Sequence, residues 1–420
     1  MRRMLVYTAG IVILLFVFLF VATVFPNGRT HNFEDTKRQD ISITAPIIHE
    51  RQKEAFNLIV SDDIMEEAEF SVKYFTPDDY YKKIAVDLSS GTYSDIIIIP
   101  SSVLDNKLLA NKHIIPVNDI IGEDVIDALN ISRSFFNRLQ NDGKLRGIPY
   151  DVFAAGVFCN KSIFEKYNLT FPKDYEELKT TVTVLKRNGV IPFAVNLNTA
   201  GTYLFDYIIS DIADGAADIS YSDYKQAIAI VDELKNLGAF PDDFCSLNDY
   251  DTRSLFIEGK AAMIVEDTSF CLSVSELYNM YRDNKPDIEV EYFPSLGPTN
   301  GNERRLLYDL GNYIMLFTDN VKSSPEKSKA VVAFINHVFE EKILDAFFTE
   351  TYSITTIKTA RPHSYSMFQM IDFFKLINES QLYITPLKNN NSKISKKSLM
   401  NIFEKIYKYG MSADELWEGI

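Results

Sequence analysis

Gly143–Asn160, GKLRGIPYDVFAAGVFCN, decides how this chain is read. The turn dipeptide Asp142-Gly143 leads in, and Gly147 and Pro149 forbid a helix. The run from Phe153 to Cys159 that follows is apolar without alternation, the pattern of a strand covered on both faces. Tyr150 and Asp151 stand where the loop enters that strand. In open α/β sheets, ligands sit at strand ends and in domain crevices, so the pair is either a ligand contact or a simple turn.

Upstream, Asp95-Ile-Ile-Ile-Ile-Pro100 is a second short β-branched run, a buried parallel strand whose end presents Ser101 and Ser102. Ile41–Thr44 and Phe70–Phe75 alternate like strands. An amphipathic segment at His49–Glu67 lies between them, and a helix opened by Pro77-Asp78-Asp79 and stopped by Gly91 follows. Downstream, Asp174 and Glu177 form a capping pair over a helix stopped by Gly189, and Ile191–Val195 is a strand. Helices at Tyr203–Ile212, Tyr221–Leu237 and Lys327–Phe339 alternate with strands at Ala261–Val265, Val290–Phe293 and Asp309–Phe317. Ser412–Glu415 is a further capping box. Helix and strand alternate throughout, which defines an α/β protein.

With 420 residues the chain exceeds one ordinary core and divides into two domains or lobes. Its net charge of −15, with no basic block beyond a few C-terminal lysines, argues against nucleic acid as a partner. Cys159, Cys245 and Cys271 are too far apart for a metal cluster or a disulfide framework. The 5 histidines form no ligand pair, so neither a metal nor another cofactor is expected. Adjacent acid pairs such as Asp62-Asp63 and Asp242-Asp243 point apart and suit caps and solvated surface, not acid/base catalysis. No nucleophile elbow or phosphate-cradling loop is present in the sequence, so no enzyme is expected.

Arg2 and Arg3 precede an uncharged run, Met4–Phe25, long enough for the roughly 20 residues of a spanning helix. No Ala-x-Ala site follows it, and the arginines place the remainder outside the membrane. Residues 1–26 are therefore a signal-anchor or a cleaved signal peptide, and polar residues 27–39 a linker. Either way the globular part is extracytoplasmic.

Six segments in order resemble the family 1 extracellular solute-binding proteins of ABC transporters, the large sugar-binding class that includes maltose-binding protein. They are Ser89–Asp95, Asp142–Asp151, Val157–Tyr167, Phe171–Leu178, Phe256–Met263 and Gly410–Leu416. The resemblance implies a two-lobed periplasmic-binding-protein-like (type II) fold with a hinge and an interlobe cleft. Lobe 1 is expected to comprise residues 40–151 and 266–317, and lobe 2 residues 152–265 and 318–420. The protein is then a monomer that captures a small-molecule ligand, a sugar or oligosaccharide, and delivers it to the permease of an ABC importer. It would sit on the outer face of the cytoplasmic membrane, held by its N-terminal segment. A membrane-tethered ligand sensor or surface protein of the same fold, without transport, is the alternative.

Sugars are held by aromatic faces and by carboxylates or amides. The ligand-binding candidates are Ser101, Ser102, Tyr150, Asp151, Phe153, Tyr203, Phe205, Asp206, Asp267, Thr268, Phe270, Gly311 and Asn312. Each has a plain structural alternative, a cap for the serines and helix packing for Tyr203–Asp206. The chain departs from the family at Asp267–Phe270, where Gly-Ser-Trp is common and the Trp stacks on the sugar. Here Phe270 or Thr268 takes that place.

Overall fold

The computed structural model describes residues 38–47, 50–61, 68–100, 104, 106–129, 131, 133–136, 139–197, 199–213, 219–274, 287–296, 305–317, 319–344, 347, 354–355, 372–373, 376, 381–384 and 396–417. The proposed anchor and most of the linker, Ser101, Ser102 and the amphipathic stretch beyond Ser61 lie outside these residues. Among the described residues no helix is long and apolar enough to cross a membrane.

Two sheets organise the chain. The first begins with β1 (Gln39–Pro46), which runs parallel to β2 (Ala68–Phe75) and to β3 (Ile96–Pro100). Helices α1 (Glu50–Ser61) and α2 (Pro77–Ser90) make the crossovers that parallel pairing demands. All four isoleucines of β3 are buried, as their unbroken β-branched run implies. β3 is joined antiparallel by a late strand, Asn312–Leu316, and that strand by β4 (Ile148–Pro149).

The second sheet is built on β5 (Asp151–Asn160), in which only Phe153 is not fully buried. Beside it run β7 (Ala261–Asp267), β8 (Ile288–Glu291) and β9 (Arg305–Leu310), and β6 (Ile191–Ala194) pairs parallel with β7. Helices α3 (Tyr175–Arg187), α4 (Thr199–Ile212) and α5 (Tyr221–Asn236) cover one face, through Leu178, Val182, Leu204, Ile208, Tyr224 and Ile228. Two caps read from the sequence are made: the Asp174 side chain accepts from Glu177 N at 2.9 Å, and Glu415 N donates to Ser412 Oγ at 3.3 Å. The aspartate cap expected at Pro77–Asp79 is not, because Thr76 is the N-cap of α2 and makes no side-chain cap bond. The opposite face, with Val152, Ala154 and Phe158, merges into the core of the first sheet.

Asp309–Phe317 is not one strand. It splits at Gly311 into β9, which pairs with β5, and β10 (Asn312–Leu316), which pairs with β3 and β4. An apolar run with a single glycine carries no local mark of a change of sheet, so the break is set by tertiary pairing. The same pairing moves two segments from their expected places. β8 and β9, within 266–317, lie in the second sheet, and only β10 lies in the first. Within 318–420, α7 (Pro325–Val338) packs on the first sheet: Phe334 stacks on Phe70 at 5.3 Å, and Lys327 Nζ reaches Asp95 Oδ1 at 3.0 Å. The chain returns to the second sheet at Ile354–Thr355, which pairs with Val152 and Asp151 of β5, and at Gln381–Ile384, which pairs with β9. α8 (Lys396–Tyr409) then packs there, its Phe403 meeting Phe205 edge-on at 4.3 Å.

Candidate functional site

The sheets are joined where two chain segments cross side by side, and a third segment, Ile354–Thr355, pairs with Val152 and Asp151 at the same place. β4 passes through Tyr150 into β5, and β9 passes through Gly311 into β10. Pro149 pairs with Tyr313 in one sheet and Val152 with Leu310 in the other. Between those pairs, Tyr150 N donates to Asn312 O at 3.3 Å and Gly311 N to Asp151 O at 3.0 Å. The Asp151 carboxylate accepts from Asn312 twice, from its backbone N and, at 2.8 Å, from Nδ2. A Cβ on Gly311 would lie 2.5 Å from Asp151 Oδ1 and 2.6 Å from Phe153 Cε2, so only glycine fits there. Burial, and then the Asp151 charge, push the Tyr150 phenol well above its ordinary range, and its ring lies 5.7 Å from that of Phe347.

A second group forms at the end of β7. Asp267 pairs with Ala155, and alternation puts Phe153 on the same face of β5 as Ala155. Phe153 and Asp267 thus point to one side of the sheet, next to the crossing, and both are half-buried. The hydroxyl of Tyr203, on α4, donates to Asp267 Oδ2. Asp267 Oδ1 accepts from Ser269 N at 2.9 Å and from the Ser269 hydroxyl, which starts the short helical segment after the strand. An aromatic face, a phenol and a carboxylate stand together there.

The adjacent residue points the other way. Glu266 is buried, and both its oxygens are held by Arg253 of α6 (Asp249–Ile257), from Nε at 2.8 Å and from Nη2 at 3.1 Å. Burial pushes the Glu266 carboxyl up to about 7 against the pull of Arg253. The guanidinium also lies over the Phe270 ring, 5.3 Å from its centre. The sequence reading missed this pair, whose only local trace is the adjacent acids that end an apolar strand.

Other candidates belong to the core. Phe270 is fully buried and meets Phe158 edge-on at 5.0 Å, so its ring has no face open to a ligand. Thr268 is fully buried, with its N donating to Ala154 O at 2.9 Å. Phe205 packs on α8, and Asp206 is fully buried in α4. Tyr150, Asp151, Gly311 and Asn312 are brought together, but as the joint itself. A separate pocket between α4, α5 and α8 is lined by Phe205, Phe240, Phe244, Phe403 and Tyr407. It lacks the pairing of aromatic face and carboxylate found at β7. Among the described residues no group of His, Cys, Asp and Glu could hold a metal ion.

The sequence model of the bacterial extracellular solute-binding protein family matches residues 50–343. The alpha-glucosides-binding periplasmic protein AglE of Rhizobium meliloti is 25% identical over 173 residues, which cover 40% of this chain and 37% of that protein. Among solved structures, a family 1 extracellular solute-binding protein from Bifidobacterium longum subsp. infantis superposes with a TM-score of 0.69 at 18% identity, covering 90% of this chain and 97% of that one. Maltose-bound MalE3 of T. maritima superposes with a TM-score of 0.66 at 13% identity, covering 90% and 96%. At these identities the superpositions speak for the fold.

Proposed function

The chain belongs to the bacterial extracellular solute-binding protein family, and on that premise we propose that it captures a sugar or oligosaccharide between two lobes and delivers it to an ABC importer permease. It is a binding protein and not an enzyme. The lobes are the two sheets with their helices, and the ligand lies beside their junction. The observation that carries the reading is the face formed by Phe153, Tyr203 and Asp267. A ring can lie against the C–H side of a sugar while a phenol and a carboxylate take its hydroxyls. Ser101 and Ser102, which follow β3 in the sequence, are the candidate contacts from the first part of the chain. The α-glucoside-binding relative supports a glucose-based ligand. Residues 1–26, as a signal-anchor, tether the protein, as a monomer, to the outer face of the cytoplasmic membrane through the linker at 27–39, or, as a signal peptide, are cleaved on export.

The test is a thermal-shift screen of residues 38–420 with maltose, maltotriose, galactose, chito- and xylo-oligosaccharides, and with amino acids and polyamines as contrast. A ligand at 100 times its dissociation constant adds roughly 2.7 kcal/mol of stability, a shift of several degrees. A sugar hit that weakens in Phe153→Ala and in Asp267→Asn supports the reading. A folded protein that responds to no sugar overturns it.

A further inference from the structure

We propose that Asp151 and Asn312 are positioning residues, a carboxylate–carboxamide clamp that makes the two crossing segments one ribbon and sets the resting angle between the lobes. This rests on the two-lobed reading above, but not on what the ligand is.

Two chain segments that cross independently between two bodies can each absorb rotation at their own backbone dihedrals, which leaves the angle loosely defined. Here they are tied. Backbone bonds run both ways, Tyr150 N to Asn312 O and Gly311 N to Asp151 O. The Asp151 carboxylate then takes the backbone N and the Nδ2 of Asn312. Bonds to an ionised acceptor are stronger than neutral ones, and burial strengthens them further. Asp151 and Asn312 are only 2% and 6% exposed, so neither offers a ligand a surface while the clamp holds. Gly311 permits the close approach, because any Cβ would fall on the carboxylate and on Phe153. Rotation of one segment must carry the other with it. Bending of these two segments is thereby coupled, Ile354–Thr355 pairs onto the same ribbon at Val152 and Asp151, and the Phe153 side of the ribbon faces the ligand.

The chemistry is directional, which makes it testable without a ligand. In Asn312→Asp two carboxylates face each other and the side-chain donor is lost. Adding Asp151→Asn exchanges the roles: the new amide oxygen still accepts the backbone N of residue 312, and its Nδ2 donates to the new carboxylate. The readout is the interlobe distance by pulsed EPR in the ligand-free protein. Spin labels go on Leu58→Cys of α1 and Tyr250→Cys of α6, which are 61% and 80% exposed, in a Cys245→Ser background. Cys159 and Cys271 are buried and stay unlabelled. The parent should give one narrow distribution. Asn312→Asp should roughly double its width or shift its mean, and the double exchange should restore it. Asn312→Ala, which keeps the backbone bond, should fall between and stands in if Asn312→Asp does not fold. A broad parent distribution, an unchanged one in folded Asn312→Asp or Asn312→Ala, or an exchange that restores nothing overturns the proposal. A silent sugar screen beside a narrow, clamp-dependent distribution would sink the sugar reading and leave this one standing.

Discussion

The ribbon at Tyr150–Asp151 and Gly311–Asn312 and the end of β7 lie side by side, yet they use polar residues in opposite ways. At the ribbon each named polar group turns onto the neighbouring segment and is buried. At the end of β7 alternation splits two adjacent acids: Glu266 goes inward to Arg253, and Asp267 stays half-exposed with Tyr203 and Ser269. Closeness to the junction therefore does not decide which residues meet a ligand. Burial on top of pairing does, since a buried and paired carboxylate is costly to reopen, whereas Asp267 is paired but only half-buried.

The largest effect should come from breaking the inward pair. Arg253→Ala leaves a buried carboxylate without its partner, which costs about 3 kcal/mol when the acid is charged. The pH dependence has a definite sign. Glu266 titrates at about 7 in the folded chain, above the ordinary 4.5, so the folded state holds this proton more tightly than the unfolded state. Its contribution is full below the ordinary value and is lost as pH rises through 7, a span of roughly 3 kcal/mol. Urea melts at pH 5 and pH 8 should show Arg253→Ala far more damaging at pH 8, and Glu266→Gln should flatten this slope. Equal losses at both pH values would mean that Glu266 is not buried as a charge.

Next comes the ribbon. Gly311→Ala drives a methyl into Asp151 and Phe153 and should cost about 1–3 kcal/mol in denaturant unfolding. Gly91→Ala meets no atom within 4 Å and is the comparison: its cost reflects only the left-handed backbone, φ 73°. Equal costs at the two positions would mean that the crossing is looser than its hydrogen bonds indicate.

Much of this was legible in the sequence where one element answers to one local pattern. DVFAAGVFCN and IIIIP are buried strands because no polar residue interrupts them, and Asp174 with Glu177 caps its helix at the expected place. The change of sheet at Gly311 was hidden, because what stops the strand there is Asp151, distant in sequence. Phe270 shows the same limit at the site. Its place in the order of motifs suggested a stacking ring, but Phe158, Phe256 and Arg253 enclose it, and those contacts are made only in the fold. Tyr203 and Asp267 were identifiable as residue types, but not as bonded partners.

The smallest effect should separate ligand contact from packing at the end of β7. Tyr203→Phe keeps the ring and removes the hydroxyl that orients Asp267. A bond to a charged acceptor contributes about 1.5 kcal/mol, and roughly tenfold in affinity corresponds to that amount. If Asp267 must be held in place to receive a sugar hydroxyl, affinity for the sugar with the largest thermal shift should fall by about tenfold, while unfolding changes by no more than about 1.5 kcal/mol. Titration calorimetry and a urea melt on the same preparation give both numbers. Lost stability with unchanged affinity would assign Tyr203 to packing and move the binding face toward Phe153 and the first lobe.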